Sequence, residues 1–205
     1  MPITIDGAGT ITGISAGGLP DSSITSAELA TGSVLTAKIA DANVTPAKLE
    51  APYTLMTSQT FSAGQTVFDF TGIPSWAKRI TILMDGLSLS GSDNFLVQLG
   101  DAGGFETTGY VSQAGYGSTK LTSTTGFIMG AGSAAFVLSG TNTLYKFSAS
   151  TNQWLSSSSI VPSTGDPASV GSGTKTLSDT LTQLRVTRTG SNTFDAGSIN
   201  VIYEG

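Results

Sequence analysis

The chain has 205 residues and a formal net charge of −5, with only 11% charged residues against 39% hydrophobic ones. The acidic balance argues against nucleic acid as a partner, since phosphates require a basic patch. No apolar run reaches eighteen residues, which argues against membrane insertion, and MPITIDG at the start does not have the pattern of a secretory signal. His and Cys are absent, which excludes Ser-His-Asp and Cys-His catalysis and zinc sites built on those residues.

Residues 1–22 form the first predicted segment. Residues 3–14 alternate apolar and polar positions around a Gly-Ala-Gly turn, and so predict two short strands or a hairpin. A short strand pair at a terminus is marginally stable by itself. We therefore expect this segment to dock onto a partner, with a frayed terminus as the alternative.

Residues 23–52 contain one ten-residue unit written three times. Each unit has large aliphatic residues at its second and seventh places, five residues apart: Ile24, Leu29, Val34, Ile39, Val44 and Leu49. This period matches neither a helix nor a strand, and a short repeat buries its apolar stripe only by stacking on copies or on neighbouring chains. The pattern predicts a shaft whose six aliphatic positions pack around the axis of a homotrimer. The alternative is a Ser/Thr/Ala-rich linker that repeats by chance.

Capping signals predict a one-turn helix in each unit. Thr25 and Glu28 have the spacing of a capping box. In the third unit Thr45 can act as the cap, and Pro46 then lies at the first helical position, where its missing N–H costs nothing.

In residues 53–205 the pattern changes to strands separated by turns rich in Gly, Ser, Asn and Asp. The composition of the whole chain, with 28 Ser, 30 Thr and 26 Gly, also favours strands and turns. The predicted strands are Gln65–Phe70, Arg79–Leu89, Asn94–Leu99, Gly126–Met129, Ala134–Ser139, Leu144–Ala149, Gln153–Ser157, Leu184–Arg188 and Ser198–Tyr203. Such a series of about ten short strands indicates an antiparallel β-sandwich or jelly roll. The whole chain is therefore predicted to be mostly β.

Other local features complete this prediction. The strands around Ser-Thr-Asn 150–152 resemble a hairpin in which Tyr145 and Phe147 face Trp154. Residues 156–174 form the longest polar, turn-rich stretch and are expected to be loops. Residues 178–184 are the only helix candidate in this region.

Carboxylates are the remaining catalytic candidates. The region 53–205 holds nine acids, among them Asp85, Asp93, Asp101, Glu106 and Asp166. A glycosidase needs two carboxyls that face each other, but no spacing singles out a pair, and Asp residues beside Gly, Ser or Asn usually cap turns. Loops 90–94 and 100–104 could offer oxygen ligands to calcium, but neither follows the EF-hand pattern. We predict no catalytic residues, no metal site and no cofactor.

Aromatic residues are candidates for holding a sugar. Tyr110, Tyr116 and Trp154 lie near polar, Gly-rich stretches, whereas Trp76, Phe68 and Phe70 are predicted to lie in the core. Packing in the core or between subunits is the favoured interpretation for the first three as well. Any binding is expected in loops on a rigid scaffold, and the sequence does not identify which.

Several segments resemble the tail-fibre-type proteins of tailed bacteriophages. The most similar segments are Phe70–Thr81 (FTGIPSWAKRIT), Glu106–Tyr110, Thr193–Asn200 and the shaft units with VTPAKL at 44–49, and the resemblance extends over most of the chain from the opening ITIDGAGTITGI onward. It implies a homotrimeric virion component that is fixed to the particle by its N-terminus and displays a β-rich tip. It carries no catalytic or ligand residues.

The function expected from these features is that of a short tail fibre whose tip recognises a host-surface glycan or protein. Its partners would be two further copies of itself and other virion proteins, and its location the virion, as an appendage of the tail or head. The first alternative is a capsid, collar or baseplate fibre that decorates without binding a receptor. The second, from another class, is a glycan hydrolase that uses two carboxylates.

Overall fold

A computed structural model describes residues 53–205, which are mostly β. The predicted strands at 3–14, the repeats of 23–52 with their one-turn helices, and the predicted shaft core lie outside the described residues; that core comprises Ile24, Leu29, Val34, Ile39, Val44 and Leu49. The described part contains no helix long and apolar enough to cross a membrane.

Fourteen strands make up residues 53–205. They are β1 (Thr54–Leu55), β2 (Gln59–Thr60), β3 (Phe68–Thr71), β4 (Arg79–Leu89), β5 (Phe95–Asp101), β6 (Gly104–Phe105), β7 (Val111–Tyr116), β8 (Thr119–Ser123), β9 (Phe127–Gly130), β10 (Val137–Lys146), β11 (Gln153–Pro162), β12 (Ser169–Thr176), β13 (Gln183–Arg188) and β14 (Phe194–Glu204).

The strands form two antiparallel sheets. The larger one has the order β1-β14-β4-β10-β11-β12-β7-β8, with β2 also paired to β14. The smaller one has the order β3-β13-β5-β6, with β9 also paired to β5. Most buried apolar residues of both sheets form one hydrophobic cluster, in which Phe194 of the larger sheet contacts Phe68 and Phe95 of the smaller one, while Leu96, Ala114 and Ile128 form a second, small cluster. The shared core makes the two sheets one packing unit.

Strand β4 begins and ends where the sequence predicts. Ile80, Ile82 and Met84 are all buried on its core side, while Arg79 is exposed. Alternation with period 2 places every second side chain of a strand in the core, and in β4 these are the apolar side chains of Ile80, Ile82 and Met84. The predicted strands near β5, β9, β13 and β14 are also present, with ends that differ by up to four residues.

The serine-rich stretch was predicted wrongly. Residues 156–174 contain most of β11 and β12, and only 163–168 connect them as a loop. Along β11 every second side chain is buried, including Ser156 and Ser158. The strand follows the period-2 pattern, but it uses serine where apolar residues are expected: the hydroxyl of Ser156 accepts from Asn142 Nδ2 of β10, and Ser158 lies against Gly171 of β12.

Three further predictions were wrong. The separate strands at 134–139 and 144–149 are one strand, β10, and the helix candidate at 178–184 is a turn that leads into β13. The hairpin between β10 and β11 exists, but Trp154 is buried on the core side, while Tyr145 and Phe147 are exposed. Tyr145 pairs with Leu155, so the aromatic residues lie on opposite faces. Strands β7 and β8 were not predicted at all.

Candidate interaction surfaces

Two of the predicted carboxylates, Asp101 and Glu106, meet at one serine. The hydroxyl oxygen of Ser178 lies 2.6 Å from Asp101 Oδ2 and 2.8 Å from Glu106 Oε1. The backbone N–H of Ser178 donates to Glu106 (2.7 Å), and that of Asp179 donates to Asp101 (3.0 Å). Asp101 and Glu106 therefore hold the segment before β13 against the hairpin of β5 and β6 by hydrogen bonds.

A buried lysine completes this cluster. Lys175 Nζ lies 2.5 Å from Glu106 Oε2, and it also donates to the carbonyl of Thr108 at 2.8 Å. Its ammonium lies 5.2 Å from the centre of the Tyr110 ring, within the range of a cation–π contact. Each polar group of the cluster thus has a partner, as buried polar groups require.

The pKa values of both carboxyls are lowered. Hydrogen bonds from Ser178 and from the backbone of Gly103 lower the pKa of Asp101 below its ordinary 3.8. Burial raises the pKa of Glu106, but Lys175 and Ser178 together outweigh burial and lower it below 4.5. Acid–base catalysis on a glycoside needs one carboxyl that stays protonated near neutral pH. The geometry of this pair favours a structural role.

The other candidate carboxylates lie in turns or strands apart from this cluster. Asp93 accepts from the backbone N–H of Asn192, and Asp166 accepts from Thr164 Oγ1, while Asp85 lies within β4. In loop 100–104, Asp101 accepts from the backbone N–H of Gly103, as in a turn closed by its own aspartate. The described residues contain no group of three acids placed to hold a metal ion.

The predicted aromatic residues are distributed differently from the expectation. Tyr110 and Trp154 are buried, and the Tyr110 hydroxyl bridges Leu99 N–H and the Glu106 carbonyl. Phe68 and Phe70 lie in the core as predicted. Trp76 is only half-buried: its ring packs against Tyr203 at 5.4 Å between centres, and it lines an open cleft. Tyr116 is also half-buried, but the pocket that it lines measures only about 10 Å³, whereas the cleft at Trp76 measures about 250 Å³, so Trp76 has more room beside it for a ligand.

The side of the larger sheet that faces away from the core, which we call the outer face, carries exposed apolar residues. They occupy equivalent positions on neighbouring strands: Val111 on β7, Val137 and Tyr145 on β10, Leu155 and Val161 on β11, and Val170 on β12. Between them lie hydroxyl and amide side chains in register, such as Thr143, Ser157, Ser172 and Gln113. An open depression of about 590 Å³ lies over β7, β8, β11 and β12.

Few charged side chains lie on the outer face, and one of them, Asp85, is exposed on β4. Arg79 and Glu204 form an ion pair beside Tyr145 at one end, and Lys120 lies on the edge strand β8. Val111 and Val170 are 70% and 61% exposed, which is high for valine in a strand. A largely uncharged face with exposed aliphatic and aromatic side chains is typical of a surface that contacts another protein.

A second surface, which we call the rim cleft, lies at the end of the larger sheet. It is a cleft of about 250 Å³ lined by Ser75, Trp76, Lys78, Lys146, Ser148 and Ala149. The backbone brings its two sides together, because Lys146 N donates to the Lys78 carbonyl at 2.8 Å. Lys78 and Lys146 are 68 positions apart in the sequence, so no local pattern could have predicted that they are neighbours.

No family model matches the chain, and no curated protein and no solved structure matches it either. The resemblance to tail-fibre-type proteins therefore stays a prediction, carried by the segments named above. What the fold defines is a mostly β protein with two antiparallel sheets and two surfaces suited to contact.

Proposed function

We propose that the chain is a structural virion protein, a short homotrimeric tail fibre whose N-terminal segment attaches to the particle and whose β region is displayed for recognition of the host surface. The β region would be a sandwich of the jelly-roll kind. The observation that best supports assembly is the outer face, where apolar side chains lie exposed on four adjacent strands. Their exposure to water is unfavourable, and contact with another chain removes it.

The extent of the outer face is adequate for contact between copies. Strands lie about 4.8 Å apart and rise about 3.3 Å per residue, so the four strands span roughly 500 Å² over eight residues. A stable interface buries about 800 Å² on each partner, and side chains that protrude from a pleated sheet add to the flat projection. Because the face has little charge, like-charge repulsion does not oppose the meeting of identical copies.

The repeat of residues 23–52 supports the same proposal from the sequence. Its six aliphatic positions need partners that one copy of the repeat does not supply. Three chains joined through a shaft would also display three binding surfaces together. Linked surfaces bind far more tightly than one, because the second contact is made at a high effective concentration.

The mass of the full chain in solution tests the trimer. Light scattering at micromolar concentration should give about 62 kDa, three times the 20.8 kDa of one chain. A mass of 20.8 kDa would refute the trimer. The Ile39→Asp variant should dissociate at higher concentration than the parent, because three carboxylates would be forced into one apolar layer. The control, Ser33→Asp in the same unit, should dissociate like the parent.

Attachment to the particle and receptor binding need separate tests. A chain of residues 53–205 alone should keep the circular dichroism of the β region but fail to join virions, and normal joining would refute an N-terminal anchor. Binding of the full chain to host cells and their surface glycans separates recognition from decoration. If it binds no host cell and yet joins particles, the decorating fibre is the correct function.

A further inference from the structure

The rim cleft brings two lysines opposite each other, Lys78 directly before β4 and Lys146 at the end of β10. Arg79 of β4 and Tyr145 of β10 are register partners, and the next pair along the same ladder is Lys78 with Lys146. Since opposite residues in an antiparallel pair point to the same side, both side chains leave the backbone on one side of the sheet, and both line the cleft. Like charges placed directly opposite destabilise a sheet.

Neither lysine forms an ion pair with an acidic side chain of residues 53–205; the acid nearest in the fold, Glu204, lines an opening with Lys78 and is paired with Arg79. The three ion pairs of this part of the chain join Arg79 with Glu204, Lys175 with Glu106, and Arg185 with Asp69. The same region has nine acids and seven basic residues, so the lack of a partner at Lys78 and Lys146 does not follow from a shortage of carboxylates. Two unneutralised cations in contact positions form a local site for an anion.

The cleft also offers the contacts that a sugar ring uses. The Trp76 ring forms one wall and is held in place by its packing against Tyr203. Ser75 and Ser148 add hydroxyls on either side, and Ser148 is itself positioned by the backbone N–H of Ser150. An apolar wall with a few convergent polar groups is the usual composition of a small-molecule site.

We propose that the rim cleft binds one acidic sugar unit, with its carboxylate or phosphate between Lys78 and Lys146 and its ring against Trp76. The volume of about 250 Å³ lies just below the range of roughly 300–1,000 Å³ for drug-sized ligands, which suits a single ring. Two cations are too few to hold a nucleic acid backbone on a protein of net charge −5. This inference deepens the proposed function, because it assigns a ligand class to the recognition of the host surface.

Fluorine NMR on the full chain tests the site directly. The chain has two tryptophans, Trp76 and Trp154, so labelling with 5-fluorotryptophan gives two signals, and the Trp76→Phe variant assigns them. Titration with glucuronic acid and with glucose 6-phosphate should shift the Trp76 signal and leave that of the buried Trp154 unchanged. A shift with glucuronic acid identifies a carboxylated sugar as the ligand, and a shift with glucose 6-phosphate identifies a phosphorylated one.

Matched ligands and variants separate the sugar and charge contributions. Glucose has the sugar ring without the anion, and inorganic phosphate has the anion without the ring. Each should therefore bind about tenfold more weakly, or worse, than the acidic sugar that shifts the Trp76 signal. Lys78→Gln and Lys146→Gln should each weaken binding about tenfold, whereas Lys120→Gln, on the edge strand β8, should have no effect. Raising the salt concentration from 0.05 to 0.5 M should weaken binding by screening the two ammonium groups.

Three results would overturn the proposal: no shift of the Trp76 signal with either acid, equal binding of glucose, or equal binding of inorganic phosphate. These results are independent of assembly. If light scattering shows a trimer and the titration fails, the fibre stands without this site. If the titration succeeds on a chain that is a monomer and does not join virions, the site stands and the proposed function fails.

Discussion

At the scale of single residues, the cluster around Ser178 shows how a protein with few charges uses them. Lys175 and Asp101 are buried, and Glu106 is mostly so, but each is bound by several groups. Removing one partner from such a group leaves an unneutralised charge, which costs more than the intact pair contributes. The cluster is therefore expected to be sensitive to single substitutions and tolerant of paired ones.

Lys175→Gln should lower the free energy of unfolding by about 2–4 kcal/mol, because the carboxylate of Glu106 would lose its only ion pair. The double variant Lys175→Gln with Glu106→Gln should recover at least half of that loss. Urea unfolding followed by tryptophan fluorescence at fixed protein concentration measures both. Equal losses in the single and the double variant would show that the packing of Lys175, not its charge, is what matters.

The same cluster predicts how stability depends on pH. The folded-state pKa values of Asp101 and Glu106 are lowered from 3.8 and 4.5, so their contribution is fully present above the unfolded values and is lost as the pH falls through the folded ones. The unfolding midpoint should be flat from pH 7 to 5 and fall below about pH 4. In Ser178→Ala this fall should be smaller, because both carboxyls lose a hydrogen bond that lowers their pKa. An unchanged fall in the variant would contradict the assignment.

At the scale of elements, glycines in left-handed conformations shape the larger sheet. Strand β14 shifts register against β4 near Gly197, whose φ is 99°. A Cβ on Gly197 would lie 2.5 Å from the carbonyl oxygen of Gly86. The bulge therefore depends on glycine for two reasons, conformation and space.

Gly197→Ala should destabilise the fold by about 3 kcal/mol or more, since the backbone of β4 cannot yield as a side chain can. Gly165→Ala is the matched control, because Gly165 also has a positive φ (80°) but has nothing within 4 Å of the added Cβ. The control should cost only about 1 kcal/mol. Thermal unfolding of the two variants checks the difference, and equal costs would mean that crowding at Gly197 is relieved by local movement.

Strand β11 contains a buried hydroxyl, that of Ser158, with no hydrogen-bond partner among the described residues. Ser158→Ala should therefore be neutral or stabilise the fold by up to about 1 kcal/mol, because a polar group without a partner leaves the core. Ser157→Ala, on the exposed side of the same strand, should change stability by less than about 0.5 kcal/mol. A clear loss of stability in Ser158→Ala would show that this hydroxyl is bonded in solution.

At the scale of the whole molecule, the proposed assembly places the outer face in contact with another copy of the chain. Leu155 is at the centre of the outer face and is 36% exposed. Burying a charge there without a partner is unfavourable, so Leu155→Glu should weaken self-association at least about tenfold. Sedimentation over a range of concentrations measures this. Ala63→Glu, in the turn before β3, is the control, and an equal effect of both variants would exclude the outer face as the interface.

The sequence determined the β class of residues 53–205, because alternating apolar residues and turn residues are local signals. It gave β4 residue by residue, since Ile80, Ile82 and Met84 alternate with polar or exposed positions. It gave only the first half of β11, Gln153–Ser157, because the serines that alternate further along are small enough for the core and polar enough to look like a loop. Only the alternate burial of these side chains in the folded sheet separates a strand from a loop here.

Tertiary structure alone decided which distant residues meet. The neighbours Lys78 and Lys146, the cluster of Asp101, Glu106 and Ser178, and the opposite faces of Tyr145 and Trp154 all follow from strand register. Register is set by how two sheets bury a shared core, and a shift of one residue would reverse every side chain. The sequence by itself therefore determined which segments become strands, while the packing of the sheets decided which side chains form the surfaces proposed for assembly and for ligand binding.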